Sequence, residues 1–119
     1  MRPTLQAFLE YLRKRQREDE ARLATFRATL DADPLKALRR GTDAFEAAAF
    51  LRWTVDVQHA LTAAESKATL ESVDKWLAEF VASRAASPEH SSSPTSNLLD
   101  RYELAAAQHL LSVIRGERF

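Results

Sequence analysis

The sequence predicts an all-α protein: a compact bundle of four long helices plus one short helix, led by a long N-terminal helix. Three observations carry this prediction. Apolar residues recur at helical spacing through most of the chain. Only two glycines, Gly41 and Gly116, occur in 119 residues, whereas Ala, Leu, Arg and Glu abound. Capping residues and prolines fall at the edges of the periodic segments, as at Thr4, Asp33 and Pro34. With 45% apolar residues, a chain of this length can bury a core without disulfides or metals.

The first helix runs from about Thr4 to Leu30, with Thr4 as its N-cap. Positions 9, 12, 16, 19, 23, 26 and 30 alternate spacings of three and four, the heptad seam of a coiled-coil-like helix. Leu9, Leu12, Leu23, Phe26 and Leu30 fill the seam, but Gln16 and Asp19 interrupt it. At ~1.5 Å per residue the helix spans roughly 40 Å, longer than a small bundle needs. Either it overhangs and docks on a partner, or it packs at both ends and is wet in the middle.

Asp33 caps a short helix that Pro34 opens and that runs to Arg40, with Gly41 as its left-handed terminator. Thr42 or Asp43 restarts the chain, and Asp43 with Glu46 has capping-box spacing at the start of a helix over about 43–61. That helix carries Phe45, Ala49, Phe50, Trp53, Val57 and Leu61. Leu70, Val73, Leu77 and Phe80 form the next stripe. One helix from 43 to 84 would swing its apolar face about half a turn between Leu61 and Leu70. A turn at 62–67, restarted by Thr62 and Glu65, removes that conflict; an unbroken helix is the alternative. Trp53 and Trp76 fall on apolar faces and read as core. Residues 85–96, AASPEHSSSPTS, form a Ser/Pro-rich linker. A last helix over 97–115 carries Leu98, Leu99, Tyr102, Ala106, Leu110, Val113 and Ile114, and Gly116 closes it. The whole chain, 1–119, reads as a single domain.

Several chemistries are excluded. Without cysteine there is no disulfide, thiolate metal site or cysteine nucleophile. Two glycines are too few for a phosphate-cradling loop or a dinucleotide fingerprint. No run approaches the roughly 18 apolar residues of a membrane span. The N-terminus lacks the apolar segment of a secretory signal, so a cytoplasmic protein without membrane contact is expected. Asp56-x-x-His59 is half of a bundle di-metal site, but no facing helix supplies the other half. No metal, cofactor or small-molecule ligand is expected.

The formal net charge is zero, from 17 basic and 17 acidic residues, but its distribution is uneven. The run RKRQREDEAR, residues 13–22, holds five basic and three acidic side chains. On a helix Glu10, Lys14, Glu18 and Arg22 form an alternating ladder; Arg15 can pair with Asp19, and Arg17 can reach Glu20. Over residues 13–40 there are nine basic and five acidic residues, net +4, which leaves the remainder at net −4. Arg13, Arg17, Arg27, Lys36, Arg39 and Arg40 are the candidates for contact with nucleic acid. Arg39 and Arg40 also suit a helix C-terminus, and no aromatic residue within 13–25 offers a stacking platform.

Arg52 and His59, with Asp56 between them, lie near one helical face. This Arg-x6-His spacing resembles the motif of the HEPN family of small helical proteins, many of them RNA-cleaving dimers. The resemblance implies a ribonuclease in which Arg52 and His59 meet their counterparts across a subunit junction. Trp53 departs from the polar residue common after that family's arginine. The plainer reading is a surface hydrogen bond between Asp56 and His59.

These observations favour a non-catalytic interaction module: a small subunit, adaptor or assembly factor. Its long first helix would pair with a protein partner or a second copy through Leu9, Leu12, Gln16, Asp19, Leu23 and Phe26. The alternative is a helical subunit that touches nucleic acid through residues 13–40 within a larger ribonucleoprotein complex.

Overall fold

A computed structural model describes residues 2–63, 67–86 and 94–117. Five helices follow in order: α1 (Leu5–Ala32), α2 (Pro34–Arg39), α3 (Gly41–Thr62), α4 (Leu70–Ala86) and α5 (Pro94–Ile114). No strand occurs among the described residues. The fold is the all-α bundle that periodicity predicts, with α2 as the short helix.

Local chemistry sets most boundaries. The Thr4 hydroxyl accepts from the Ala7 N–H at 3.1 Å, satisfying one of the free donors at the start of α1. Asp33 ends α1 and caps α2, accepting from the Lys36 N–H at 3.3 Å while Pro34 opens the helix. Gly116, at φ 78°, closes α5: its N–H bonds to the Val113 carbonyl, and the Glu117 N–H reaches the Ser112 carbonyl. Those two bonds define a Schellman termination.

Side-chain pairs fix the directions. Arg22 reaches Glu46 early in α3 and Gln16 meets Gln58 late in it, so α1 and α3 are antiparallel. Phe45 faces Tyr102 and Phe50 faces His109, so α3 and α5 run parallel. Asp74, early in α4, pairs with Arg115 beyond the end of α5, which makes those two antiparallel. The long helices therefore alternate in direction as an up-down-up-down bundle.

The core lies at one end. Phe8 and Leu12 of α1 join Phe50, Trp53 and Val57 of α3, Val73 and Leu77 of α4, and Leu110 and Ile114 of α5. No buried apolar residue of α1 follows Leu12. The distal half of this 28-residue helix thus continues past the main core, against α2 and the first turns of α3. It accounts for the molecule's longest dimension, 44 Å.

Five expectations change. Gly41 does not terminate α2 in a left-handed turn; it is the first residue of α3, and Arg40 joins the two helices at φ −102° and ψ 14°. That bridge conformation, which non-glycine residues adopt, made a glycine terminator unnecessary. Asp43 sits inside the first turn of α3 and caps nothing, since no side chain bonds the N-terminus of that helix. Residues 43–84 are two helices, as the turn required. Thr62, however, ends α3 and bonds the Gln58 carbonyl, and Glu65 lies outside the described residues. The restart is Thr69 with Ser72: the Thr69 N–H donates to the Ser72 hydroxyl at 2.7 Å, and the Ser72 N–H to the Thr69 hydroxyl at 3.2 Å. The expected 85–96 linker is shorter, because α4 continues through Ala86 and α5 begins at Pro94; residues 87–93 lie outside the described part. Finally, Trp53 is core, but Trp76 is only a lid on it, 39% exposed with ring centres 5.3 Å apart.

Candidate functional site

The polar seam of α1 is satisfied from within the chain. Gln58 of α3 donates to the Gln16 carboxamide oxygen at 2.7 Å, and Gln16 donates to Glu20 at 2.8 Å. Asp19 is fully buried between two guanidinium groups of its own helix. Arg15 donates to it at 3.0 Å and Arg22 at 3.4 Å. Arg22 also reaches Glu46, and Arg15 lies 3.8 Å above the Phe50 ring. Burial pushes the Asp19 carboxyl above the ordinary carboxylate range; the two arginines oppose that rise without cancelling it.

This settles where the six seam residues lie. Leu12 and Asp19 are wholly inside, Leu9 packs against the core, and Gln16 is bonded to α3. Leu23 and Phe26 are half-buried. The proximal seam, Leu9 to Asp19, faces α3 and offers little to an outside partner. Phe26, with Ala21, Thr25 and Thr29 of α1, instead lines a groove of about 270 Å³ whose other wall is Arg40 and Asp43.

At this same end α2 packs in an inverted way. Its one buried residue is Ala37, while Leu35 and Leu38 are 70% and 69% exposed. Leu30, at the distal end of the seam, is exposed as well. Periodicity places Leu30 on the seam but singles out neither Leu35 nor Leu38. A six-residue helix is too short for periodicity to reveal which face turns inward.

The basic residues divide into two sets. Lys14 pairs with Glu18 at 4.0 Å and Arg15 with Asp19, as the spacing predicts. Arg22 departs from the ladder by turning to Asp19 and Glu46, and Arg17 does not pair with Glu20, whose carboxylate takes Gln16. Arg13, Arg17, Arg27, Lys36, Arg39 and Arg40 are all exposed, and none makes an ion pair among the described residues. Arg13, Arg17 and Arg27 share a stripe about 80° wide on α1, but Glu20 and Asp31 lie on the same stripe.

Elsewhere, Arg52 is bound to Glu103 of α5 at 2.9 Å, and His59 is exposed on α3. No hydrogen bond joins Asp56 to His59, contrary to the plainer expectation for that pair. The half-buried Tyr11 hydroxyl meets His109 Nε2 at 2.9 Å, tying α1 to α5, and its partial burial raises the tyrosine's pKa. Among the described residues no group of three His, Asp or Glu side chains is placed to hold a metal, and no helix is long and apolar enough to cross a membrane. No family model, curated protein or solved structure matches the chain, so the reading of this surface rests on its own residues.

Proposed function

We propose that this protein is a non-catalytic interaction module, a small subunit, adaptor or assembly factor. It docks on another protein through the distal half of α1 together with α2. The seam of α1 serves this role only from Leu23 and Phe26 onward, since its proximal half is engaged by α3. The supporting observation is the inverted packing of α2: Ala37 is buried while two leucines project into solvent. Folding alone gains nothing from that arrangement, and exposed clusters of large apolar side chains mark sites of association. Aliphatic anchors beside a groove, rimmed by charge, are the usual anatomy of a protein interface.

Photo-crosslinking in the native cell tests this. A benzophenone side chain at Leu35 or Leu38 should give one discrete protein adduct, and the same group at exposed Val55 or Leu99 should give none. Adducts at Val55 or Leu99, with none at α2, would overturn the placement.

The six cations without an ion pair among the described residues favour a second reading, contact with nucleic acid inside a larger complex. It requires binding that weakens steeply with salt and weakens further in Arg13→Glu/Arg17→Glu. No binding at low salt removes it.

A further inference from the structure

We infer that the partner of this end of the molecule is an acidic amphipathic helix. One large apolar side chain of that helix enters the Phe26 groove, and its Asp or Glu residues face Lys36, Arg39 and Arg40. The inference rests on the docking role proposed above and adds the chemistry of what docks.

Charge is the first argument. Around the exposed Leu35 and Leu38 stand Lys36, Arg39 and Arg40, all exposed and without an ion pair among the described residues. Arg15, Arg22, Arg52 and Arg115, by contrast, each have an acidic partner within the chain. Apolar anchors beside cations that no carboxylate of the described residues engages select a surface that is apolar at its centre and acidic at its edge.

Shape is the second. The groove where α2 joins α3 has about 270 Å³ and is lined by Ala21, Thr25, Phe26 and Thr29 of α1 together with Arg40 and Asp43. A cavity of about 150 Å³ holds a benzene ring, so this one takes a large side chain with room to adjust. Helix-in-groove recognition uses such an anchor, with further apolar residues one turn away to meet neighbouring leucines.

The same features count against other occupants. A second copy docked by two-fold symmetry through α2 would set Lys36, Arg39 and Arg40 against their own counterparts, a like-charge arrangement. An anionic bilayer is flat and leaves the groove unfilled. Nucleic acid has no use for two projecting leucines, and the groove's aromatic ring, Phe26, is half-buried.

The test uses three synthetic helical peptides, each with leucines along one face and flanked by Glu, Gln or Lys. Binding is read by amide chemical shifts and fluorescence anisotropy. The Glu peptide should perturb amides within 21–43 and bind about tenfold more tightly than the Gln peptide, the scale of one or two rim charges. Arg39→Glu/Arg40→Glu should abolish that preference and transfer it to the Lys peptide. Leu35→Ser/Leu38→Ser should weaken all three. These exposed substitutions leave the core untouched, and circular dichroism confirms the fold. Equal affinity for the Glu and Gln peptides overturns the acidic partner while leaving the docking role intact. No peptide binding at 21–43 overturns both. Binding of anionic vesicles or of oligouridylate at these amides, in preference to the Glu peptide, likewise overturns the inference. So does a dimer that Leu35→Ser dissolves.

Discussion

Gln58 donates a 2.7 Å hydrogen bond to Gln16, joining α3 to α1 at the first break in the heptad seam. A polar pair on a packed seam is costly when only one member remains. Gln58→Leu should destabilise the protein by about 1 kcal/mol, because the half-buried Gln16 oxygen loses its donor. Gln16→Leu/Gln58→Leu should recover that loss, giving a coupling of ~0.5–1.5 kcal/mol in a double-mutant cycle read by urea unfolding. Strictly additive losses would show that water, and not Gln58, satisfies Gln16.

Asp19 gives the fold a defined acid-side pH dependence. Its pKa is raised by burial against the opposing pull of Arg15 and Arg22, so the folded state binds this proton more tightly than the unfolded chain. The associated stability is complete below the ordinary carboxylate pKa of about 4 and is lost as pH rises through the folded value. Asp19→Asn removes this slope. The stability of the natural protein relative to Asp19→Asn should therefore fall as pH rises through that window. A carbon-detected titration of the Asp19 carboxyl should show a midpoint above that of exposed aspartates; a midpoint below them would mean that the arginines prevail.

Thr54 is wholly buried on α3, and its hydroxyl has no hydrogen-bond partner among the described residues. A buried hydroxyl left unpaired costs about 1–3 kcal/mol, and valine has nearly the same shape without it. Thr54→Val should raise stability by about 1 kcal/mol in thermal unfolding, whereas Thr54→Ala should lower it by leaving a cavity. A loss in Thr54→Val would reveal a partner for the hydroxyl.

The start of α4 depends on a reciprocal pair of short side chains. Thr69→Ala and Ser72→Ala should each cost ~1 kcal/mol, and together less than the sum, because either change breaks both cap bonds. Loss of amide protection confined to the first turn of α4 would locate the effect.

Gly41 has ordinary backbone angles, and nothing lies within 4 Å of the position a Cβ would take. Gly41→Ala should therefore stabilise the protein by ~0.4–1 kcal/mol through the unfolded chain. Any substantial loss would show that the joint between α2 and α3 needs glycine's freedom.

Much of the architecture was legible in residue spacing. The seam of α1, the caps at Thr4, Asp33 and Gly116, and the break between Leu61 and Leu70 all follow from periodicity and local hydrogen bonding. Thr69 and Ser72 escaped notice because serine replaces the usual Glu or Gln of a capping box. Gly41 misled because glycine after a short helix reads as a terminator, yet Arg40 makes the joint. The seam exposed Gln16 and Asp19 as anomalies but could not say what faces them. That depended on Gln58, Glu46 and Phe50, forty-two, twenty-seven and thirty-one residues away in the chain. That Arg17 does not pair with Glu20 was equally hidden, since Gln16 takes that carboxylate.

The burial of Ala37 has a dynamic consequence. Ala37 is the one residue that α2 buries and it lies outside the Phe8–Ile114 cluster, so this segment should open locally without disturbing that cluster. Hydrogen exchange would rank α2 first to open and α5 among the last. A binding partner could thus reshape α2 at little cost to the rest of the molecule, which makes the latch and the scaffold separable parts of one chain.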